Sequence, residues 1–349
     1  MQSGNMDFWK TPPRRATIAE VAKLAGVGTA TVDRVLNNRG GVRETTRQRV
    51  VQARTAIEMG TVPEGRKRPW RLKVILPGFA GASTEYLARC FQDIGSRGNA
   101  TIECTFTRKM EPALLARKLN ACSGQGLDAV AFQPLDDPRV QDAVNNLHNL
   151  KIPTLALLSG LANRNLIGLI GMDNHAAGRT AGYLMGRLTR QRGTIAVVTG
   201  GRLYRVHDDR ERGFRAAAAQ GFPHIEDTIV LNGRDDSETN YLAVRDALRR
   251  HPELVGIYNV GGASEGIARA MTEAGVKDEI IFIGHNLSER TKRYLLNGTM
   301  DVVLHLNMHD VAANAVESLI ARLENRPHAP RVLPTSVVTR ENIVGMSVA

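Results

Sequence analysis

The chain is poor in aromatic residues, which make up 5% of its 349 positions, and it has only three cysteines, Cys90, Cys104 and Cys122. An odd cysteine count with neither CxxC nor Cys/His ligand spacing excludes a disulfide framework and a zinc site, leaving three small buried hydrophobes. The sequence also lacks the roughly 18 uninterrupted apolar residues that a membrane span needs. Its most apolar stretch, residues 152–172, is broken by Asn163, Arg164 and Asn165. The segment MQSGNMDFWKTPPRR has no apolar h-region, so no secretory signal is expected and the cytoplasm is the expected location. Neither GxxxxGKS nor GxxxxGKT occurs, and GGRLYR lacks a dinucleotide fingerprint, which disfavours a nucleotide enzyme. No cofactor and no metal are expected.

What is present is ordinary globular usage, 42% hydrophobic and 23% charged. The length exceeds one core, so two or three units are expected. The formal charge of +11 is unevenly placed. Residues 1–73 carry 15 Lys and Arg against six Asp and Glu, whereas the remaining 276 residues carry 31 against 29. A basic end suits a polyanion, because neutralising phosphates releases condensed counterions.

That end is not a low-complexity tail. It runs TIAEVAKLAGVGTATVDRVLNNRG from Thr17, with Ile18, Val21, Ala22 and Ala25 at helical spacing on one face. Thr17 with Glu20 reads as a capping box, and Gly26 as a left-handed stop. A second helix is expected from Thr29, with Val32, Val35 and Leu36 inward and Thr29, Ala30, Asp33, Arg34 and Asn37 outward or end-facing. A third is expected over roughly 44–59, with Val50, Ala53 and Ile57 inward and Arg43, Arg47, Arg49 and Arg54 mostly outward. This is a helix-turn-helix whose second helix is free to enter a major groove.

The runs T-I-x-x-V-A-x-x-A-G-V, T-V-x-R-V-L-N and V-x-x-x-T-R-x-R-V, in order, resemble the DNA-binding domain of the lac-repressor (LacI) family of transcription regulators. The resemblance implies base reading by Thr29, Ala30 and Arg34, with Arg34 suited to a bidentate guanine contact. Asn37 and Thr46 fall near the backbone, and Arg43 and Arg47 are expected phosphate clamps. Thr17, Gly28, Thr31 and Asp33 complete the expected DNA-binding set. Gly28 and Asp33 depart from the family, which usually has Ser at both, so the operator cannot be copied. The following segment TVPEGRKRPWRL is broken by Pro63, Gly65 and Pro69, which disfavours the family's hinge helix. Arg66, Lys67, Arg68 and Arg71 there either track phosphates or form a solvated linker.

From Leu72 onward, apolar runs of strand length alternate with helical segments: LKVIL, TIECTF, DAVAF, PTLALL, LIGLIG, TIAVVTG, DTIVL, LVGIYNV, EIIFIGH and DVVLHL. Alternation of this kind indicates parallel sheets with crossover helices, and about ten strands are more than one sheet usually holds. The expected fold is therefore an all-α helix-turn-helix head plus α/β, with two doubly wound parallel-sheet lobes and the ligand beyond their carboxyl strand ends. The expected divisions are a flexible extension over 1–13, the head over 14–60, a basic linker over 61–71 and the bilobal part over 72–349.

GMDNHAAGRTAGYL, the run Arg210 to Phe214, GIYNVGGASEGIARAM and IFIGHNLSERTKRYLLNGTMDVVL resemble the periplasmic sugar-binding-protein fold that serves as effector domain in the LacI family. The resemblance implies that Arg210 bonds ligand hydroxyls, with Asn259 and Asn286 at further ligand positions. Phe79, Ser83, Gln133, Ser159, Asp173, His285 and His305 complete the expected effector-binding set. The alternatives are that Arg210 merely pairs with Asp208 or Asp209, the less favoured of its two readings, and that Asn259 is only a turn former. Leu158 and Ser159 replace an Asp-Arg pair common in sugar-binding relatives, so a less polar pocket than a monosaccharide site is expected.

The leading expectation is a regulator, a repressor in the first instance, that binds operator DNA and a small-molecule effector, a sugar or sugar derivative, with no membrane partner. A homodimer is expected, or a tetramer built from two such dimers. A solute-binding protein shares the bilobal part but has no use for residues 17–59. An enzyme would need a nucleophile with an oriented base, and spacing identifies none. The acid pairs Asp136–Asp137, Asp208–Asp209 and Asp235–Asp236 read as solvated turn residues.

Overall fold

The computed structural model describes residues 15–58, 68–78, 81–108 and 110–345, and the chain divides between Arg68 and Pro69 into two compact units. The first holds α1 (Ile18–Ala25), α2 (Thr29–Leu36) and α3 (Glu44–Glu58). The Thr17 hydroxyl accepts the Glu20 amide, and the Glu20 carboxylate accepts the Thr17 amide at 2.9 Å, so two otherwise orphaned donors of α1 are satisfied reciprocally. Gly26 ends the helix in the left-handed region at φ 62°. Val21, Ala22, Ala25, Val32, Val35, Val50, Ala53 and Ile57 form one small core. Ile18, expected on the inward face, is instead 41% exposed, because the first residue of so short a helix projects past the core it starts. Arg49, expected outward, bends back so that its guanidinium donates to the Ala25 carbonyl, one of the orphan acceptors at the end of α1.

The second unit alternates strands and helices in the order β1 (Trp70–Gly78), α4 (Ala82–Arg97), β2 (Ala100–Arg108), α5 (Pro112–Ala121), β3 (Ala129–Phe132), α6 (Pro138–Asn149), β4 (Thr154–Leu157), β5 (Leu166–Ile170) and α7 (Asn174–Leu188). It continues with β6 (Gly193–Thr199), α8 (Arg205–Gly221), β7 (Ile225–Asn232), α9 (Ser237–Arg250), β8 (Leu254–Asn259), α10 (Ser264–Ala274), β9 (Ile281–His285), α11 (Glu289–Leu296), β10 (Val302–His305), α12 (Met308–Leu323) and β11 (Ser336–Val338). All ten expected strands are present. Two parallel sheets result, ordered β2-β1-β3-β4-β5 and β7-β6-β8-β9-β10, the second extended by the antiparallel edge strand β11. In both orders the winding reverses beside the first strand, between β1 and β3 and between β6 and β8, so each lobe opens a crevice there at its carboxyl end. Every residue of β3, β4, β6, β8 and β10 is buried, as central strands covered by helices on both faces must be.

The chain passes between the lobes three times. After β5 it crosses at residues 171–173, and α7 packs on α8 and the second sheet. After β10 it returns, and α12 packs on α4 and β3 to β5 of the first sheet. From α12 it crosses again to β11, bonding beside the first crossing through the Leu333 amide to the Gly171 carbonyl at 2.8 Å. The α7–α8 contact is unusually close. A Cβ on Gly178 would stand 2.1 Å from the Arg210 carbonyl oxygen, and one on Gly213 would stand 2.1 Å from that of His175.

Residues 1–13 and 61–67, including Arg66 and Lys67, lie outside the described residues, as does Met59 of the expected third helix. Trp70 and Arg71 of the expected linker belong to β1. No described helix is long and apolar enough to cross a membrane.

Candidate functional site

On the head, Thr29, Ala30 and Arg34 of α2 and Asn37 at its C-cap are exposed, while Thr31 and Asp33 are partly covered. Gly28 holds the N-cap position in extended conformation without a side-chain cap, as its lack of a hydroxyl requires. The Asp33 carboxylate accepts from Asn37 Nδ2 at 2.7 Å and from Arg39 Nη1 at 3.1 Å. Arg39 therefore balances the charge that would otherwise repel DNA phosphates, and Asn37 is engaged within the protein. The Arg34 carbonyl accepts the Arg39 amide at 2.7 Å, but its side chain has no hydrogen-bond or ion-pair partner among the described residues, which leaves its fork available for a base edge. Arg43 is exposed, Thr46 is half-buried, and Arg47 donates to Asn38 Oδ1 at 2.9 Å.

In the second unit a cleft of about 810 Å³ opens between the carboxyl ends of the two sheets. The structure brings Ser83, Gln133, Arg210, His285 and Asn286 of the expected set to its wall. Ser159, Asp173, Asn259 and His305 do not line it. Ser159 is buried and its hydroxyl accepts the Val206 amide at 3.3 Å. Asp173 caps α7 by accepting the Ala176 amide. The Asn259 side chain closes its own turn, donating to the Gly262 carbonyl and the Ser264 hydroxyl. His305 Nδ1 accepts the Leu287 amide. Phe79 lies outside the described residues.

Arg210 projects from the first half of α8 and is buried. It donates Nε to Asn174 Oδ1 at 3.0 Å and Nη1 to the Val260 carbonyl at 2.7 Å, and Nη2 meets only the Met172 sulfur at 3.8 Å. It does not pair with Asp208 or Asp209; Asp209 is taken by Arg212. Burial depresses its pKa to about 10. Beside it, His207 faces Asp235 across 3.5 Å while its Nδ1 accepts the Gly200 amide, and burial holds the ring below the ordinary histidine value. Asp235 also accepts the Gly262 amide at 2.9 Å. Gly200 and Gly261 make room for this pair, since a Cβ at either would fall within 2.6 Å of the Asp235 carboxyl group. The reading of Asp235 as a solvated turn residue is thus corrected: its side chain is 15% exposed and faces a buried ring. Asp236 caps α9, as expected of a turn acid.

Four non-glycine residues of the cleft wall, Leu158, Asp235, Ala263 and Asn286, have φ between 51° and 67°. Left-handed backbone of this kind persists only where its surroundings enforce it, and it gathers at ligand sites. Sequence reasoning missed His207 and Asp235; the only sequence signal for either was the acid pair before α9. Among the described residues no group of three or more His, Cys, Asp and Glu is placed to hold a metal ion. The three thiols are free, and burial raises each, Cys104 to about 11.

Comparison with known proteins agrees with this geometry. Residues 91–327 match the family described as periplasmic binding protein domain, and residues 17–58 match bacterial regulatory proteins, lacI family. A ribose operon repressor of Halalkalibacterium halodurans is 24% identical over 94% of this chain and 97% of its own length. The HTH-type transcriptional repressor PurR of Vibrio cholerae is 23% identical over 94% and 98%. Among solved structures, a glucose-galactose binding protein from Geobacillus stearothermophilus aligns with TM-score 0.74 at 17% identity, covering 80% of this chain and all of its own. A solute-binding protein from Burkholderia graminis in complex with D-arabinose aligns with TM-score 0.75 at 18% identity, covering 81% and 99%. At these identities the solved structures establish the shared fold. The chain therefore belongs to the periplasmic binding protein domain family, and it carries the helix-turn-helix head of the lacI family of bacterial regulatory proteins.

Proposed function

We propose that the protein is a cytoplasmic transcriptional repressor that binds operator DNA through its head and is controlled by a small-molecule effector, a sugar or sugar derivative, held in the cleft. The observation that carries this reading is the presence in one chain of a helix-turn-helix with an uncommitted Arg34 and a bilobal ligand cleft. A solute-binding protein needs only the second. Relatives that match along nearly their whole length are named as repressors, and fold neighbours are named as sugar-binding proteins.

Thr29, Ala30 and Arg34 read bases, Arg43 and Arg47 hold phosphates, and Thr17, Gly28, Thr31, Asp33, Asn37 and Thr46 frame them. Ser83, Gln133, Arg210, His285 and Asn286 contact the effector, with Asn259 and Asp173 shaping the wall from behind. The working form is a homodimer on a two-fold operator, since one short reading helix carries little specificity. Closure of the lobes on the effector changes operator affinity by a coupling of typically about 1–3 kcal/mol. The protein has no enzymatic role in this reading.

The test is binding of the purified chain to DNA flanking its own gene against random DNA, at several salt concentrations, with and without pooled metabolites. A specificity ratio of about 10³ or more, altered by one pool, is the expected result. Equal, steeply salt-dependent binding to all DNA would reject sequence-specific regulation.

A further inference from the structure

Arg210 is a buried cation whose neighbours are the wrong kind for it. Its described partners are an amide oxygen, a peptide carbonyl and a thioether, and no carboxylate lies within ion-pairing reach among the described residues. Nη2, which has only the sulfur, keeps hydrogen-bonding capacity toward the cleft that Arg210 lines. Asp235 acts on Arg210 only through space, and desolvation outweighs it, so a charge supplied by a ligand in direct contact with the guanidinium would be favoured.

A second observation comes from His285, which is 2% exposed and lines the same cleft. Its Nε2 stands 2.8 Å from the Tyr258 hydroxyl, and its Nδ1 has no hydrogen-bond partner. With the Tyr258 hydroxyl donating to Nε2, its one acceptor among the described residues, the proton of the neutral ring would sit on Nδ1. A buried ring nitrogen without a partner thus belongs to the wall that also carries the Arg210 guanidinium, whose Nη2 meets only sulfur. Asn286, next in the chain and on the same wall, is neutral.

The cleft's acids are committed or peripheral. Asp235 accepts from Gly262 and faces His207, Asp236 caps α9, and Glu265 pairs with Arg290 at 2.7 Å. Glu85 and Glu289 lie exposed in the first turns of α4 and α11.

We propose that the effector carries an oxyanion, a carboxylate or a phosphate, which Arg210 and the His285 Nδ1–H receive together. The inference rests on the cleft being an effector site, and it narrows the effector to an acidic sugar or sugar phosphate. Two donors on one wall, one of them a charged planar fork, suit such a group.

The test uses the full chain and calorimetric titration with matched probes: D-glucose, D-glucuronate, D-gluconate and D-glucose 6-phosphate, then D-ribose, D-ribonate and D-ribose 5-phosphate. At least one anionic probe is expected to bind about tenfold or more tighter than its neutral parent, the carboxylate and phosphate arms telling the two sources apart. Asn286→Asp adds a carboxylate beside the site in a residue type that also tolerates left-handed backbone, and should collapse that preference. His285→Leu, which removes the donor, should reduce it as well; if that variant does not fold, Asn286→Asp still decides. A neutral sugar binding as tightly as its acid and phosphate overturns the proposal and leaves effector control standing. Failure of every anionic probe to bind also overturns it, and the operator assay then reports independently on the regulator reading. An unchanged preference in Asn286→Asp overturns it as well.

Discussion

Replacing Gly178 by alanine tests the close approach that sets Arg210 in the cleft. In an ordinary helix this change is favourable by about 0.8–1 kcal/mol, because alanine loses less backbone freedom than glycine. Here the new Cβ would stand 2.1 Å from the Arg210 carbonyl oxygen and 2.8 Å from its Cα, where ordinary contact begins near 3.4 Å. The obstacle is backbone rather than the tip of a flexible side chain, so α7 and α8 must part by about 1 Å. Overpacking of this kind costs about 1–3 kcal/mol, and the gain in helix propensity does not offset its upper range. One turn earlier, Asn174 Oδ1 would recede from Arg210 Nε, now 3.0 Å away, so ligand affinity should fall with stability. Urea unfolding of the full chain, followed by circular dichroism, measures the change. Gly221→Ala is the control, since that glycine ends α8 with nothing within 4 Å of the added atom, and it should stabilise by a fraction of a kcal/mol. A Gly178→Ala protein as stable as the parent, with ligand affinity intact, would refute the argument from close packing.

Three further outcomes are expected. Arg34→Ala should weaken operator binding by about 1–3 kcal/mol and random-sequence binding far less; equal losses on both DNAs in a gel-shift titration would remove it from base reading. Burial holds His207, His285 and His305 below the ordinary histidine value, so the folded unit keeps them neutral where the unfolded chain protonates. The stability this difference contributes is complete above about pH 6.5 and falls as pH drops below it, by up to about 1.4 kcal/mol per pH unit for each ring. A urea midpoint unchanged between about pH 7.5 and 5.5 would contradict that linkage. Gly28→Ser should raise the stability of the head by a few tenths of a kcal/mol, because the N-cap is extended, unobstructed and without a side-chain acceptor. A head melting at or below the temperature of the parent would show that the hydroxyl makes no cap.

The parallel strands were legible because a strand covered on both faces must be apolar throughout, and runs such as TIAVVTG have that length and composition. β11 was not legible. It is three residues long at an edge, and Ser336 and Val337 are exposed, so nothing in its composition distinguishes it from a loop. The strand-end rule found Gln133, His285 and Asn286 because winding order puts those positions at the crevice wherever the lobes sit, whereas Arg210, inside α8, was reached only through the family resemblance. It also gathered Ser159, Asn259 and His305, which share that position but turn their polar atoms onto backbone groups. Position along a strand does not encode that choice. His207 and Asp235 were missed because their pairing joins a helix to a left-handed turn 28 residues later in sequence, and no local periodicity carries such a link.

The three crossings between the lobes have a consequence for how the protein is made. The first sheet is complete in sequence by Ile170, yet α12, which covers it beside α4, ends only at Leu323. A ribosome that has finished the first five strands has therefore produced a lobe with part of one face bare. That face stays uncovered until almost the entire second lobe has emerged. Neither lobe is a contiguous folding unit, and their maturation is coupled through pairings of long sequence separation, which form slowly. A nascent chain of this design needs protection from aggregation for the synthesis of about 150 further residues, whereas its head, complete by Glu58, is free to fold almost at once.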